Sequence, residues 1–238
     1  MNPRFLIVPA LVAGLEVASA GDITGTITLT GTPPPEKVND HITSVAECAK
    51  FHPEPVKTQF YVVSPKGELK DVVIYITNVT GKPADDSTPP LVMDQKGCEY
   101  TPYIAAVQTK QKIVVKNSDP VMHNVHPTPT APGNDEQNKA QLPGGPDLSF
   151  SFPTAEKFLR IKCDVHDWMI SYVYVIDNPY FAVSALDGTY KIANVPPGKY
   201  TVEAIHRKAS GGKPVTKEIE VKDGDNKLDF TLEVPKPN

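Results

Sequence analysis

Frequent proline and glycine residues between short segments of alternating hydrophobicity are the feature that most constrains the fold of this chain. It carries 25 prolines and 15 glycines, spread along its length without forming a repeat. Residues 23–29 place Ile23, Gly25, Ile27 and Leu29 on one side and threonines on the other, which is the period of a half-buried strand. Beyond residue 20 no segment has a convincing helical pattern. So many turn-forming residues favour short strands joined by turns, and the sequence predicts an all-β protein.

The amino terminus has the pattern of an export signal. Arg4 gives a positive start, residues 5–15 form an apolar run, and Ala18-Ser19-Ala20 is a small-residue cleavage motif. The apolar run is shorter than the roughly 18 residues that a membrane-spanning helix needs. We therefore expect residues 1–20 to be removed and the mature protein to be periplasmic or secreted, without a membrane span.

Length and charge limit the classes of function. The 238 residues predict one large or two modest domains, and a hydrophobic content of 39% is enough for a core. The formal net charge is −4 and there is no basic run, which disfavours nucleic-acid binding.

Three cysteines leave one unpaired in a compartment where thiols tend to oxidise. We predict a disulfide between Cys48 and Cys98, which leaves Cys163 as a thiolate. In the alternatives, Cys48 and Cys98 stay unpaired or Cys163 pairs with one of them.

The stretch from Cys163 to Met169 predicts a metal site. Cys163, His166 and Met169 follow one another at intervals of three residues, and soft sulfur beside imidazole suits both oxidation states of copper. The segments 156–162 and 169–176 are predicted strands, so these donors lie on a short turn. The segments 103–108 and 112–116 are predicted to form a hairpin that leads to a fourth donor, His123. Zinc is the rival metal, although structural zinc sites are closed four-ligand sites without methionine.

These residues resemble the cupredoxins. The resemblance rests on Asn117-Ser118-Asp119, on His123-Asn124, and on Cys163, His166 and Met169 in that spacing, and the short ligand loop is most similar to amicyanin. It implies a Greek-key β-sandwich with one type 1 copper ion. The implied ligands are His123, Cys163, His166 and Met169, and the implied role of the Asn124 backbone is to help hold the cysteine sulfur. Amicyanin-like loops carry prolines around the second histidine, whereas Val165 and Asp167 flank it here, which makes the reduction potential an open question.

The carboxy-terminal part shows a second resemblance. Asp187-Gly188, Tyr190, the turn Asn194-Val195-Pro196-Pro197-Gly198, and Tyr200 are similar to the prealbumin-like, regulatory-type domain that is appended to carboxypeptidases and to many exported proteins. We expect a cupredoxin-like domain over residues 21–177 and a smaller antiparallel β-sandwich over 178–238. The strand at 21–30 is a candidate for pairing with the second sandwich.

The expected function is electron transfer by a mononuclear copper protein, and not enzymatic catalysis. A redox protein is the expected partner, a cytochrome or a dehydrogenase, with His166 as the exposed electron exit and a docking surface that consists of Pro120, Val121, Met122 and Trp168. Asp164 and Asp167 favour a positively charged partner. Two alternatives are open: a periplasmic copper carrier or storage protein, and a cell-surface module with a structural metal that binds carbohydrate or protein through its carboxy-terminal domain.

Overall fold

The computed structural model of the chain describes residues 20–236, so the predicted export signal lies outside the described residues except for Ala20. The all-β prediction is confirmed for the described part. The strands are β1 (Gly21–Thr30), β2 (Val73–Ile76), β3 (Leu91–Gln95), β4 (Tyr100–Thr101), β5 (Ile104–Gln108), β6 (Ile113–Asn117), β7 (His123–Thr128), β8 (Lys139–Gln141), β9 (Leu148–Phe150), β10 (Glu156–Lys162), β11 (Ile170–Ile176), β12 (Phe181–Val183), β13 (Thr189–Val195), β14 (Gly198–Ile205), β15 (Val215–Val221), β16 (Gly224–Lys227) and β17 (Phe230–Glu233).

Between residues 20 and 236, helical structure is confined to three short pieces. Helix α1 (Asp40–Ser44) and helix α2 (Ala46–Ala49) follow one another, and a 3-10 turn covers Ala209–Gly212. None of the helices within residues 20–236 has the length and apolar character of a membrane span.

Two facing sheets form a first sandwich. One sheet has the strand order β5-β11-β10-β7-β8, and the other has the order β4-β3-β6-β9. Alternate residues of these strands point inward and form a single apolar core, which includes Met93, Val115, Phe150, Leu159 and Val173. Cys163 and Met169 belong to the same core, so the predicted ligand loop is anchored at one end of this sandwich.

The predicted hairpin of residues 103–108 and 112–116 is wrong, although both strands exist. Strand β5 pairs in parallel with β11, whereas β6 pairs with β3 and β9 in the opposite sheet. The connection between them crosses from one sheet to the other, and Lys110 takes a positive φ of 65° within it. Alternating hydrophobicity finds strands, but strand pairing is decided by the packing of two sheets around one core.

The other two sheets form a second sandwich. Strand β1 pairs with β13, β16 and β17, and the facing sheet has the order β12-β2-β14-β15. The predicted boundary between residues 177 and 178 does not follow these sheets, because β1 and β2 both pair with strands beyond it. The chain thus begins in the second sandwich, continues into the first, and returns.

Strand β2 joins the two sandwiches. All four of its residues are buried. Ile74 and Ile76 lie in the core of the second sandwich, while Val73 and Tyr75 pack on the other side against residues of β5 and β11. A strand that is apolar on both faces is typical of a central layer, and this one holds the second sandwich against the back of the first.

Candidate metal centre

The loop from Cys163 to Met169 is a tight connection between β10 and β11, as predicted. Lys162 and Ile170 are cross-strand partners at its base. The Cys163 N–H donates to the Met169 carbonyl at 3.0 Å, and the Met169 N–H donates to the His166 carbonyl at 2.9 Å. These two hydrogen bonds within the loop, together with the strand pair at its base, fix the loop backbone. The side chains of the loop are therefore held in place.

His123 reaches this loop from the neighbouring strand. Strand β7 is antiparallel to β10, and His126 is the cross-strand partner of Lys162. Because the strands run in opposite directions, the residues that precede His126 on β7 lie beside the residues that follow Lys162. His123 therefore lies beside the loop. The position of His123 beside the loop thus follows from the strand pairing alone.

Three of the four predicted ligands bring their donor atoms together. A ring nitrogen of His123, a ring nitrogen of His166 and the Cys163 sulfur all lie within 4.8 Å of one another. The two Nδ1 atoms are 3.0 Å apart, and the Cys163 Sγ is 3.7 Å from the His166 Nδ1. All three side chains are buried. Two imidazole nitrogens that face each other at this distance need a proton or a cation between them, so the donors fit a metal ion.

Asp119 determines which nitrogen of His123 faces the other donors. The His123 Nε2–H donates to Asp119 Oδ2 at 2.9 Å. The same carboxylate accepts the N–H groups of Gly97 at 2.6 Å and Cys98 at 2.8 Å. Burial raises the pKa of Asp119, but these hydrogen bonds outweigh it and the pKa is lowered. A carboxylate held ionised in this way keeps the His123 proton on Nε2 and leaves the Nδ1 lone pair for a metal.

The surroundings of Cys163 lower the pKa of its thiol. Burial raises the pKa of the Cys163 thiol, but the adjacent His123 side chain and hydrogen bonds from backbone N–H groups, that of Asn124 first among them, lower it below its usual value. The Asn124 N–H lies 3.4 Å from the sulfur, as the cupredoxin resemblance implies. The Asn124 side chain accepts the Asp164 N–H at 2.6 Å and so joins β7 to the loop. The thiolate is the form that binds metal.

Met169 lies in the same loop but is placed by packing. Its side chain is 1% exposed and belongs to the core of the first sandwich, with the half-buried Trp168 beside it. The structure therefore brings His123, Cys163 and His166 together and buries Met169 next to them, and its role as an axial ligand stays a prediction.

A segment that showed no periodicity covers one side of this site. We call residues 32–57 the strap; it contains α1 and α2. Cys48 in the strap forms a disulfide with Cys98, as predicted, and Ile42, Cys48 and Cys98 form a small buried cluster that contacts Trp168 and Val121. The Trp168 Nε1–H donates to the Cys98 carbonyl at 2.9 Å. The disulfide and the tryptophan together form a wall of the site.

The strap corrects the predicted electron exit and docking surface. His166 is only 5% exposed, because the disulfide and the Trp168 ring, whose centroid is 5.1 Å from that of His166, cover it. Val121 and Trp168 also contact the strap. Pro120 and Met122 of the predicted docking surface are exposed. Met122, Leu142 and Val165 are exposed apolar side chains that adjoin a donor residue or its strand partner. We call these three residues the apolar rim; Met122 precedes His123, Leu142 follows the cross-strand partner of His123, and Val165 precedes His166.

The other histidines lie outside the donor cluster. His126 hydrogen-bonds Asp164 at 2.7 Å and Glu136 at 2.6 Å. His41 pairs with Asp167 at 3.1 Å, and Asp164 pairs with Lys162 at 2.6 Å. The two acidic residues that flank the site are therefore paired within the chain, which weakens the sequence argument for a positively charged partner.

Some solved structures are similar to part of this chain. No protein-family model matches the chain, and a search of curated proteins gives no match. Among solved structures, an oxidised amicyanin mutant is 19% identical with a TM-score of 0.33, over 43% of this chain and 97% of that one. A purple cupredoxin from Nitrosopumilus maritimus is 17% identical with a TM-score of 0.30, over 36% and 98%. A copper-containing nitrite reductase from Thermus scotoductus is 13% identical with a TM-score of 0.33, over 42% of this chain and only 27% of its own.

Because these TM-scores are low, the case for a metal rests on the donors themselves. A cysteine sulfur, an imidazole and a thioether in one loop, with a second imidazole from strand β7, are the donor types of a copper site that serves both Cu(I) and Cu(II).

Proposed function

We propose that this protein holds one type 1 copper ion and transfers single electrons between redox proteins. The observation that supports the proposal best is the convergence of the His123 and His166 imidazoles and the Cys163 sulfur in a buried pocket, with the His123 tautomer selected by Asp119. The proposed ligand set is His123, Cys163, His166 and, as a weak axial donor, Met169. A copper ion held there would supply one-electron chemistry.

The chain's own residues provide what electron transfer requires. The donors lie on a self-bonded loop between two strands and on the adjacent strand. Asp119 and the Asn124 backbone orient His123 and Cys163 before any ion binds. A site that changes little between oxidation states needs little reorganisation when an electron arrives or leaves, and burial excludes water that would otherwise bind the metal.

We propose that the partner is a redox protein that docks at the apolar rim. The rim residues are exposed by 39% at Met122, 65% at Leu142 and 50% at Val165, and each adjoins a donor residue or its strand partner. Transient redox encounters use small interfaces. Apolar contact beside the donors shortens the path that an electron must travel.

The compartment and the second sandwich are part of the same proposal. We propose a periplasmic or secreted protein, which is supported by the Cys48–Cys98 disulfide. We also propose that the second sandwich is a prealbumin-like module. In its turn between β13 and β14, the Tyr200 hydroxyl donates to the Pro196 carbonyl at 2.9 Å. We propose no enzymatic step for the protein. Every cluster of three candidate metal-binding side chains within residues 20–236 contains His123 or His166.

Copper reconstitution tests the proposed centre. The wild-type protein should give the intense visible band of a Cys-to-Cu(II) charge transfer and cycle reversibly by one electron, and Cys163→Ser should abolish the band. Met169→Leu should change the spectrum and the reduction potential. Met122→Leu, which alters an exposed methionine beside His123, is its matched control and should change neither.

Three results would contradict parts of the proposal. Equal spectra for wild type and Cys163→Ser would eliminate the Cys163 centre. Tight Cu(I) binding without a stable coloured Cu(II) form would replace electron transfer by copper carriage. Equal effects of Met169→Leu and Met122→Leu would remove Met169 from the ligand set.

A further inference from the structure

The Cys48–Cys98 disulfide lies in direct reach of the second histidine of the centre. The Sγ atoms of Cys48 and Cys98 and a ring nitrogen of His166 all lie within 4.8 Å of one another. Both cysteines are 0% exposed. The Cys98 backbone is fixed from both sides of the centre, since its N–H donates to Asp119 and its carbonyl accepts the Trp168 Nε1–H. The disulfide is thus more than a distant cross-link, because its sulfurs share a pocket with a proposed copper ligand.

The distances from the His166 ring nitrogen to the two sulfurs are close to those of a metal site. Two donors that each bind one ion at about 2.3 Å, as thiolate sulfur binds zinc, are at most about 4.6 Å apart. Once the bond between the two sulfurs is broken they move apart, and the ring nitrogen of His166, which lies within 4.8 Å of both, is near enough to bind the same ion. In the disulfide form the sulfurs are poor ligands. As thiolates they are soft donors, and two of them beside an imidazole form a set that selects Cu(I).

The strap gives a reductant a route to the buried disulfide. Of residues 32–57, all of which the structure describes, only Ile42 and Cys48 are buried. The strap is otherwise held to the rest of the chain by the Glu36 carboxylate, which accepts the N–H groups of Phe60 and Tyr61, by the exposed His41–Asp167 pair and by the His52 contact to the Gly97 carbonyl. A segment with so few buried apolar contacts opens locally at a small part of the global unfolding free energy.

We propose that Cys48 and Cys98, once reduced by a dithiol, form a second site with His166 that binds Cu(I). One thiolate of the dithiol attacks a sulfur of the Cys48–Cys98 bond and forms a mixed disulfide. The second thiol of the reductant then attacks this bond, so that the dithiol leaves as a disulfide and two electrons and two protons remain on Cys48 and Cys98. Cu(I) then displaces the two thiol protons to solvent and keeps its oxidation state.

This arrangement makes the disulfide a switch on copper binding beside the first centre. With the disulfide closed, His166 faces only the Cys163 set. With the dithiol present, a copper ion has a soft site a few ångströms from the first one, with His166 common to both. The proposed second site does not depend on electron transfer at the first.

Cu(I) retention in a Cys163→Ser background tests the proposal. This substitution removes the thiolate of the first centre. The full chain is prepared in two forms, disulfide-bonded and reduced with dithiothreitol that is then removed without air. Each is loaded with Cu(I) and challenged with a coloured Cu(I) chelator. The reduced form should retain one Cu(I) per chain, and the disulfide form should retain none.

Three further variants show whether the site is the one in the structure. Cys48→Ser together with Cys98→Ser, again in the Cys163→Ser background, should retain none in either form. His166→Ala should weaken retention by the reduced form at least about tenfold. His126→Ala is the matched control: His126 lies near the loop but outside the cluster, and its loss should leave retention unchanged.

Two outcomes would overturn the proposal. In the first, the reduced and disulfide forms retain equal amounts of copper. In the second, the reduced form retains copper equally well with and without His166, which is the behaviour of two thiols in an opened chain and not of an assembled site. The visible band of the wild-type protein reports the first centre independently of either result.

Discussion

Replacing Asp119 by asparagine tests the central element of the site, the selection of the His123 tautomer. The Asp119 carboxylate accepts three hydrogen bonds, from His123, Gly97 and Cys98. Asparagine has the same shape but offers one oxygen and one NH2 group. If its oxygen takes the place of Oδ2 and accepts from His123 and Cys98, its NH2 group faces the Gly97 N–H, donor against donor. If the asparagine amide is flipped, its NH2 group faces the His123 Nε2.

The expected losses of copper affinity and of folding stability follow from these contacts. In the second orientation His123 shifts its proton to Nδ1, the nitrogen that faces the other donors, and the proton competes with the metal. Loss of a carboxylate behind a metal-binding histidine costs about 10- to 100-fold in metal affinity, which is about 1.4 to 2.7 kcal/mol. In the first orientation the half-buried Gly97 N–H loses its partner, which costs about 1 kcal/mol of folding stability.

The assay measures both quantities on the same protein. Copper affinity is measured by competition with a chelator, and the unfolding free energy of the metal-free protein by urea denaturation. Asp167→Asn is the matched control. Its carboxylate adjoins His166 in sequence, but its side chain is 70% exposed and pairs with His41. This control should change copper affinity by less than about twofold, as expected for an exposed pair.

The reasoning would be refuted if Asp119→Asn bound copper as tightly as the wild type and were equally stable. An equal loss of affinity in Asp119→Asn and Asp167→Asn would also refute it, because it would indicate a general effect of charge and not a specific contact with His123.

Three further predictions concern other parts of the molecule. Burial lowers the pKa of His206 from 6.5 to about 4, so the unfolded chain binds a proton in this window that the folded chain does not. The unfolding free energy should therefore fall by about 3 kcal/mol as the pH drops across the window. In His206→Asn, which keeps an acceptor for the Ala209 N–H, urea denaturation should show that this pH-dependent fall is lost. The same dependence of the unfolding free energy on pH in the variant and the wild type would contradict the prediction. The Cys48–Cys98 disulfide spans 50 residues, so its replacement by two serines should cost about 4 kcal/mol of stability, and a loss below about 1 kcal/mol would show that the strap contributes little to folding. Val165→Lys should slow electron self-exchange between two copies of the copper-loaded protein at least about tenfold, because two positive charges would meet at the apolar rim, whereas Val92→Lys, at an equally exposed residue of β3, should not.

The sequence predicted the parts of the fold that depend on local pattern. The strands on either side of the Cys163 loop and the strand that begins at His123 are present, because alternation and turn residues act over a few positions. The disulfide was predicted by elimination, since Cys163 was assigned to the metal. The strand partners of β5 and β6 were wrong, because pairing depends on which sheet a strand joins and this is decided by contacts across the whole core.

The residues that support the site were harder to find. Asp119 lies four positions before His123, and a carboxylate at that spacing is a signal that could have indicated the hydrogen bond to Nε2. The Asp119 contacts with Gly97 and Cys98 had no such signal, because strands β4, β5 and β6 lie between these two parts of the chain. The strap was missed because its short helices bury only two residues, which leaves no hydrophobic period to detect.

The strap also changes which face of the centre a partner can approach. Sequence reasoning placed His166 at an exposed edge, since a histidine on a turn after a strand has solvent on one side unless another segment covers it. The disulfide brings such a segment, and Trp168 fills the space between the strap and the imidazole. With His166 covered, the apolar rim is left as exposed surface, and its residues Val165 and Met122 adjoin His166 and His123 in the chain. A protein partner that docks there meets apolar side chains and acidic residues that are already paired, so shape and hydrophobic contact should govern its binding more than charge does.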